Sequence, residues 1–349
     1  MTVRRDFASR RHSGGFSLVE LMVALTISLL LLAGALSILY SSRVAYNEND
    51  RLARLQEAGR TAMELVLRDV RASGFVGCAR PQGALSFVNG IDGGATLLYN
   101  FEQPLFGNDA NGPGWDPGLD SVVIPAALPG SDVLAVRTTR QDQPVMRLNA
   151  PLTVPTNDLL VDRPAGAVLP AGTTMVVSDC RGASAFTISG FTPVGATTAT
   201  LAHVAGGLGG NSTASVTRSF DIGASVVPVT TAIFYVRQSP TGNGPSLWQR
   251  VGAAAPQSLI EGVENLQFVY GIDTDGDLLA NQYVTADAVP NWNNVISLSI
   301  AMLVRSEVET NPDVDTRIYN LLGTNLGPFN DRRLRTVFTT TITLRNRTN

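Results

Sequence analysis

The sequence predicts an α+β fold in which one long N-terminal helix packs on an antiparallel, β-rich head. Three observations support this prediction. An apolar run fills residues 16–40, a proline-free amphipathic pattern follows over 41–73, and short alternating apolar runs recur through 74–349. Residues 1–15 precede the helix as a short basic leader.

The apolar run is long enough to cross a membrane, because a helix needs about 20 apolar residues to span a bilayer core. The charges of the leader place it in the cytoplasm and the rest of the chain outside; they are Arg4, Arg5, Asp6, Arg10 and Arg11. A secretory signal is cut after its apolar stretch. Here the small residues Gly14 and Gly15 come before the stretch, so a cut there retains the helix. A plain signal anchor is the alternative.

Glu20 is hard to explain in a plain anchor, because a charged side chain at the centre of a membrane helix costs roughly 2.5 kcal/mol or more. A cut after Gly15 would create a positive amine at Phe16, about one helical turn from Glu20. A helix N-terminus also favours negative charge. We therefore expect Glu20 to have a function.

The helical pattern continues beyond the membrane run. Residues 41–72 contain no proline, and Gly59 is their only glycine. Apolar residues recur at steps of three and four, at Leu52, Leu55, Ala58, Ala62, Leu65, Val66 and Val70. The broad stripe favours packing on a head over a coiled coil or a linker helix. Glycine is a common helix stop, so the helix should end near Ser73 and Gly74.

The head should contain antiparallel strands, since no comparable helix separates its apolar runs. These runs are 133–137, 174–179, 185–191, 229–237, 263–272, 294–305 and 334–345. Alternation is clearest over 297–304 and 337–344, which predicts strands with one buried face. Residues 81–130, centred on 107–114, and 205–220 are expected to be loops. We expect one domain with insertions rather than two β-rich lobes.

Composition argues against several functions. The net charge is −3, so nothing indicates a nucleic-acid surface, and every basic residue is arginine. The absence of lysine excludes Schiff-base chemistry and the phosphate-loop lysine. The two histidines are His12, in the leader, and His203, which has no nucleophile signature nearby. The sequence therefore predicts neither an enzyme nor a cofactor.

Cys78 and Cys180 are the only cysteines, and both follow the membrane helix. An even count in an exported chain predicts a disulfide. The bridge would close a loop of about 100 residues, worth up to ~4.7 kcal/mol in the chain-entropy model. The alternatives are two unpaired buried thiols or, with only His203 as a base, a catalytic cysteine.

Asp273, Asp275 and Asp277 alternate in a segment that resembles a calcium loop. An EF-hand requires glycine at its sixth position and glutamate at its twelfth, where this chain has Leu278 and Val284. Aspartate and glycine also dominate ordinary turns. We expect a solvated turn, with a calcium site of another kind as the alternative. The same holds for the acidic loop of Asp109, Asn111, Asp116 and Asp120.

The segment Gly15-Phe16-Ser17-Leu18-Val19-Glu20-Leu21 resembles the leader junction of type IV pilins and type II secretion pseudopilins. In that family a prepilin peptidase cuts after the glycine and methylates the new amine. The glutamate then neutralises the amine of a neighbouring subunit. The resemblance implies cleavage between Gly15 and Phe16, N-methylation of Phe16 and an assembly role for Glu20. It also implies a pilin-like fold, with 16–40 in a filament core and 41–73 behind the head's sheet.

Residues 261–277, 74–78 and 335–347 resemble the PilW family of minor pilins, whereas the middle, roughly 81–255, resembles nothing we can name. The resemblance implies a subunit that primes pilus assembly and lies near the filament tip, supporting twitching motility and adhesion. The implied partners are the major pilin, other minor pilins, a PilY-type tip adhesin, the prepilin peptidase and the inner-membrane assembly platform. The implied location is the inner membrane, with a periplasmic head, and then the pilus at the cell surface.

Two other functions remain compatible with these residues. A J-type minor pseudopilin of type II secretion shares the N-terminal pattern, and neighbouring pilus or secretion genes would separate the two. An enzyme on a pilin-like anchor is the second, against which the missing lysine, the scarce histidine and the lack of a nucleophile or metal motif all argue.

Overall fold

The computed structural model describes residues 15, 17–75, 86–309, 311–344 and 346. The chain divides into two compact units, 1–54 and 55–349. Within the first unit, every described residue from 17 to 50 is helical or immediately precedes the helix, and all are solvent exposed.

The helix α1 spans Leu18–Arg71. It ends as the glycine signal predicts: the Ser73 amide donates to the Val70 carbonyl, and Gly74 has a positive φ of 68°. Glycine adopts this conformation without steric cost. The Gly74 amide then donates to the Arg137 carbonyl, 3.2 Å away, which fixes the chain's exit from the helix.

The buried stripe of α1 begins at Leu55, and its members are Leu55, Gly59, Ala62, Met63, Val66, Leu67, Asp69 and Val70. Leu52, expected in the stripe, is 42% exposed. Gly59 permits the closest approach, because a Cβ there would lie 2.1 Å from Cε2 of Phe338. The glycine inside this helix is therefore a packing requirement, which offsets its poor helix propensity.

The described residues of the head form strands of very unequal length. Their bounds are β1 Ser86–Asn89, β2 Leu105–Asn111, β3 Gly114–Asp116, β4 Val133–Thr139, β5 Met146–Arg147, β6 Leu159–Asp162, β7 Thr174–Asp179, β8 Gly182–Thr187, β9 Gly190–Val194, β10 Thr198–Ala202, β11 Ser225–Gln238, β12 Pro245–Val251, β13 Gln257–Glu261, β14 Val263–Ile272, β15 Gln282–Val284, β16 Val295–Arg305, β17 Tyr319–Leu321, β18 Thr324–Leu326 and β19 Arg335–Thr343. Two 3₁₀ turns, η1 Ala286–Ala288 and η2 Trp292–Asn294, precede β16. The fold-class prediction, one long N-terminal helix with a β-rich head, is confirmed.

A four-stranded antiparallel sheet, ordered β15-β14-β16-β19, lies in the C-terminal part of the head. Its even-numbered residues on β16 join the largest core cluster together with the stripe of α1. Leu298, Ile300, Met302 and Val304 all belong to this cluster and are fully buried. The alternation in the sequence therefore identified the face that meets the helix.

The prediction of one buried face is wrong for β16, which is buried on both sides. Its second face is covered by the β17–β18 hairpin, where Ala301 and Leu303 pack with Tyr319 and Leu321. The polar positions of this face are satisfied within the sheet, as where the Ser299 hydroxyl lies 2.7 Å from that of Thr341. The serines that suggested solvent therefore belong to a covered layer.

A ten-stranded sheet forms the rest of the frame, with the main order β1-β8-β7-β11-β4-β2-β3. The long strand β11 organises it, pairing with β7 and β5 near its start and with β4 and β12 near its end. All strand pairs of this ten-stranded sheet are antiparallel, except that β1 pairs with β8 in parallel. A separate antiparallel sheet, β6-β10-β9, shares a second core with β7 and β8.

Two expectations for the middle of the chain are wrong. The acidic segment 107–114, expected to be the centre of a loop, forms most of the β2–β3 hairpin, whose turn contains Gly112 at a φ of 60°. The run 185–191 is divided between β8 and β9. Polar and glycine-rich strands hide their period in a single sequence, because their register depends on neighbouring strands.

Candidate functional site

The segment that precedes α1 holds the residues expected to direct processing. Gly15 is exposed, and a Cβ built on it would meet nothing within 4 Å. Phe16, the expected site of methylation, lies outside the described residues. Because the fold leaves room at position 15, any requirement for glycine there would come from recognition by another molecule.

Ser17 and Glu20 together cap the N-terminus of α1. The Ser17 hydroxyl accepts from the Val19 amide at 3.2 Å, and the Glu20 Oε2 atom accepts from the Ser17 amide at 3.0 Å. This is the reciprocal arrangement of a capping box, which satisfies amide groups that the helix leaves unpaired. The Ser-x-x-Glu pattern in the sequence is a signature of such a cap, a role of Glu20 separate from that of its charge.

The capping box would survive a cut between Gly15 and Phe16, because the Ser17 amide remains in the chain. It uses one carboxylate oxygen of Glu20. The geometry therefore gives Glu20 a local role that does not depend on a neighbouring subunit. The proposed pairing with a Phe16 amine is a separate interaction, which remains a prediction.

The apolar part of α1 is suited to a membrane. By length and composition, this is the one helix among the described residues that could cross a bilayer. Its large apolar side chains from Leu18 to Tyr40 are between 50% and 76% exposed in the single chain. At 1.5 Å per residue, 25 residues span roughly 37 Å, more than the ~30 Å hydrocarbon core.

The predicted disulfide joins one cysteine that the structure describes to one that it does not. Cys180 lies on the exposed turn between β7 and β8, whereas Cys78 lies outside the described residues. The pairing of Cys78 with Cys180 therefore stays a prediction.

The carboxylate oxygens of Asp273, Asp275 and Asp277 lie within 4.8 Å of one another, on the turn after β14. Both oxygens of Asp273 accept backbone amides, from Asp275 and Gly276 on one side and Leu278 on the other, at 2.7–3.2 Å. Burial raises the pKa of Asp273, but the amide bonds outweigh burial and leave the pKa below its usual value.

The other two carboxylates of this turn also accept hydrogen bonds from nearby amide groups. Asp275 accepts from the Asp277 amide and from the side chain of Asn281, and Asp277 accepts from the Leu279 amide. Leu278 has a positive φ of 68°, which three aspartate-to-amide bonds around it help to hold. The arrangement is that of a tight turn whose carboxylates are already engaged. Whether it also binds calcium stays untested.

A second acidic group, which the sequence analysis missed in part, joins the two large sheets. Asp132, at the start of β4, accepts from the Ala110 amide of β2 and the Phe268 amide of β14, both at 2.9 Å. Burial raises the pKa of Asp132 to about 7, and burial with the nearby charge of Asp287 raises that of Asp109 to about 6. The carboxyl group of Asp132 thus bridges three strands, and a single sequence offers no signal for that.

The residues beside Asp132 complete the junction. The Ser131 hydroxyl lies 3.0 Å from the Leu266 amide, which donates to it, and the Gly130 carbonyl accepts from the side chains of Asn265 and Gln267. The strand β15 pairs only with residues 270–272 of β14. The bonds from residues 130–132 occupy the rest of that edge of β14.

Arg335 is the centre of a buried ion-pair network that the sequence analysis also missed. Its side chain is 1% exposed and contacts the carboxylates of Glu264, Asp315 and Asp331 at 2.6–3.2 Å. The Arg335 hydrogen bonds lower the pKa of Asp331 to about 2. The network joins β14, through Glu264, to β19 and to the loop that precedes β17. It therefore holds the β17–β18 hairpin against the four-stranded sheet.

His203 is a core residue. It is 3% exposed, its Nε2 atom lies 2.9 Å from the Asn157 carbonyl, and its ring packs edge-on against Phe186. These contacts hold the ring in the core, just after β10.

Comparison with known families identifies both ends of the chain. Residues 10–36 match the prokaryotic N-terminal methylation motif, and residues 233–346 match PilW, the type IV pilus-assembly protein W. The N-terminal segment of the chain is thus similar to the methylation motif, and its C-terminal segment is similar to PilW. No curated protein and no solved structure matched the chain.

The PilW domain corresponds to a definite part of the fold. It begins within β11 and includes the four-stranded sheet, the Asp273 turn and the Arg335 network. It begins earlier than residue 255, where the unmatched middle was expected to end. The two matches leave residues 37–232 of the chain without a similar family.

Proposed function

We propose that this chain is a minor pilin that primes type IV pilus assembly at the inner membrane and lies near the filament tip. One observation carries the proposal: a methylation motif and a capped apolar helix precede a PilW domain in one chain. The PilW match favours this function over that of a J-type pseudopilin of type II secretion.

In the proposed pathway, the prepilin peptidase cuts between Gly15 and Phe16 and methylates Phe16. The exposed apolar half of α1 then holds the subunit in the inner membrane, with its head in the periplasm. Glu20 pairs with the amine of a neighbouring subunit during assembly. The partners would be the major pilin, other minor pilins, a PilY-type tip adhesin and the assembly platform, and the resulting pilus would serve twitching motility and adhesion.

The processing step is tested by mass spectrometry of the mature N-terminus, which should show methylated Phe16. Gly15→Arg is the test variant. Gly15→Ala is the matched control, since the fold has room for a Cβ at that position. We expect Gly15→Arg to keep its leader and Gly15→Ala to be cut at least in part. An intact leader on the wild-type chain in peptidase-positive cells would contradict the proposal.

The assembly role is tested by deleting the gene and counting surface pili. We expect few pili in the deletion strain and recovery with the wild-type gene but not with Gly15→Arg. If pili stay at normal number while type II secretion fails, the chain acts as a pseudopilin and the pilus proposal is wrong.

We also propose that Cys78 and Cys180 form a disulfide in the periplasm, as the even count in an exported chain suggests. Peptide mapping without reductant should recover the linked pair. Two thiols that react with an alkylating reagent in the folded, periplasmic protein would contradict it.

A further inference from the structure

Among the described residues, no strand pairs with the outer edge of β19. β19 pairs with β16 in an unbroken antiparallel register from Arg335 to Thr343. Just beyond each end of this ladder, the Leu344 amide donates to the Ile296 carbonyl and the Ser306 amide donates to the Leu334 carbonyl. Even-numbered residues of β19 therefore direct their backbone groups towards β16, because hydrogen-bonded pairs alternate along an antiparallel ladder.

The odd-numbered residues direct their backbone groups away from the sheet. These residues are Arg335, Val337, Thr339, Thr341 and Thr343, and their N–H and C=O groups have no backbone partner within the described parts of the chain. The side chains of Thr339, Thr341 and Thr343 are exposed. Arg335 is buried in the ion-pair network, so the open part of the edge is the row of backbone donors and acceptors from Val337 to Thr343.

The apolar side chains of β19 are only partly covered, although Phe338 also packs against the helix at Gly59. On β16, Ile300, Met302 and Val304 are fully buried. On β19, Phe338 and Ile342 pack against the same core but are only partly buried. One more strand beyond β19 would cover them and continue the layer of apolar side chains.

Natural sheets usually protect a free edge with a charge, a proline, a bulge or a covering loop. Residues 336–344 contain no charge and no proline, and the register with β16 has no bulge. An uncharged, threonine-rich edge of this length readily accepts a further strand.

We propose that the outer edge of β19 binds an extended segment of a different polypeptide, which adds a strand to the sheet. The flanks of β19 decide against a second copy of this chain. Arg333 is paired with Glu309 and Asp331, but the exposed Arg332 also precedes the strand, and Arg345 and Arg347 follow it in the sequence. Pairing of β19 with itself, in either direction, would bring arginine-bearing flanks together, and adjacent like charges are destabilising.

The edge also defines the chemistry of the partner. Its residues beside Phe338 and Ile342 should be apolar, and those beside Thr339 and Thr341 should be threonine-like or polar, since side chains alternate across a strand. Acidic residues at both ends of the segment would complement the arginines. The inference does not depend on the pilus assignment, because it rests on the edge alone.

The test is a binding measurement on the full-length protein in detergent. The probe is a synthetic peptide of seven alternating valines and threonines with two aspartates at each end. We expect the peptide to slow hydrogen exchange at the Val337, Thr339 and Thr341 amides. Thr339→Pro removes an outward amide and leaves the bonds to β16 intact, so it should weaken binding about tenfold or more. Thr339→Val retains the amide and is the matched control.

The inference is overturned if the peptide gives no protection or if Thr339→Pro binds it as well as the wild type does. Sedimentation of the wild type as a dimer that Thr339→Pro converts to monomer would also overturn it, because the occupant would then be a second copy. If Thr339→Pro does not fold, as judged by thermal unfolding, Thr339→Lys replaces it. A lysine there blocks strand addition without touching the ladder to β16.

Discussion

Glu20 has two separable roles in the structure, and a pair of substitutions distinguishes them. Its carboxylate closes the capping box on the Ser17 amide, and its charge is proposed to pair with a neighbouring amine. Glu20→Gln retains an oxygen that can accept the Ser17 amide but removes the charge. Glu20→Ala removes both, and Ser17→Ala removes only the other half of the cap.

The expected magnitudes follow from these contacts. A helix cap contributes about 1 kcal/mol, which a long membrane helix tolerates. A charge in the hydrocarbon costs roughly 2.5 kcal/mol or more unless it is paired, so its removal should not weaken membrane insertion. We therefore expect all three variants to be cut and retained in the membrane. Glu20→Gln and Glu20→Ala should both enter filaments about tenfold less than the wild type, and Ser17→Ala should enter within about twofold.

The assay is expression of each variant in cells that lack the wild-type gene. Immunoblots of sheared pili measure incorporation, and membrane fractions measure retention. Normal incorporation of Glu20→Gln with a defect in Glu20→Ala would show that Glu20 acts only as a cap. Normal incorporation of both would refute the assembly role and leave the helix as a simple anchor.

Three further predictions concern the head. Gly59→Ala should destabilise it by about 1–3 kcal/mol despite better helix propensity, because of the contact with Phe338, and Phe338→Leu in the same chain should recover part of the loss in a thermal melt. Arg335→Met should cost about 3–5 kcal/mol, since buried carboxylates lose their partner, whereas Arg317→Ala, at a 56% exposed side chain, should cost under about 1 kcal/mol. Burial raises the pKa of Asp132 to about 7 in the folded state, whereas an unfolded aspartate titrates near pH 4. The free energy of unfolding should therefore decrease as pH rises from about 4 to about 7 and level off above that. A denaturant series in which Asp132→Asn keeps the same pH slope would contradict this.

The sequence was most informative where one physical signal dominated. The stripe from Leu55 to Val70 and the strands β16 and β19 were predicted from periodicity, because burial of one face imposes it. The membrane helix and β14 were predicted from continuous apolar runs. The capping box was visible as Ser-x-x-Glu but was overlooked in favour of the charge. In β16 the alternation was real, but the β17–β18 hairpin covers the second face, and no local pattern predicts such a layer.

The charged clusters could not be predicted, because their members are far apart in the chain. Arg335 contacts Glu264 across 71 positions, and Asp132 contacts the Phe268 amide across 136. Each residue alone resembles a surface charge. Their burial is decided by the packing of sheets on one another, and a single sequence does not contain that information.

The distribution of these features separates the shared part of the molecule from its specific part. The family matches include α1 up to residue 36 and the chain from residue 233, within β11, to residue 346, which contains the four-stranded sheet, the Arg335 network and the edge of β19. Strands β5 to β10 lie outside both matches and surround a hydrophobic core of their own, centred on Phe186. A segment with its own core can change in sequence without disturbing the sheet that meets α1. Variation there would alter what the head presents to its surroundings and would leave the sheet that packs on α1 unchanged.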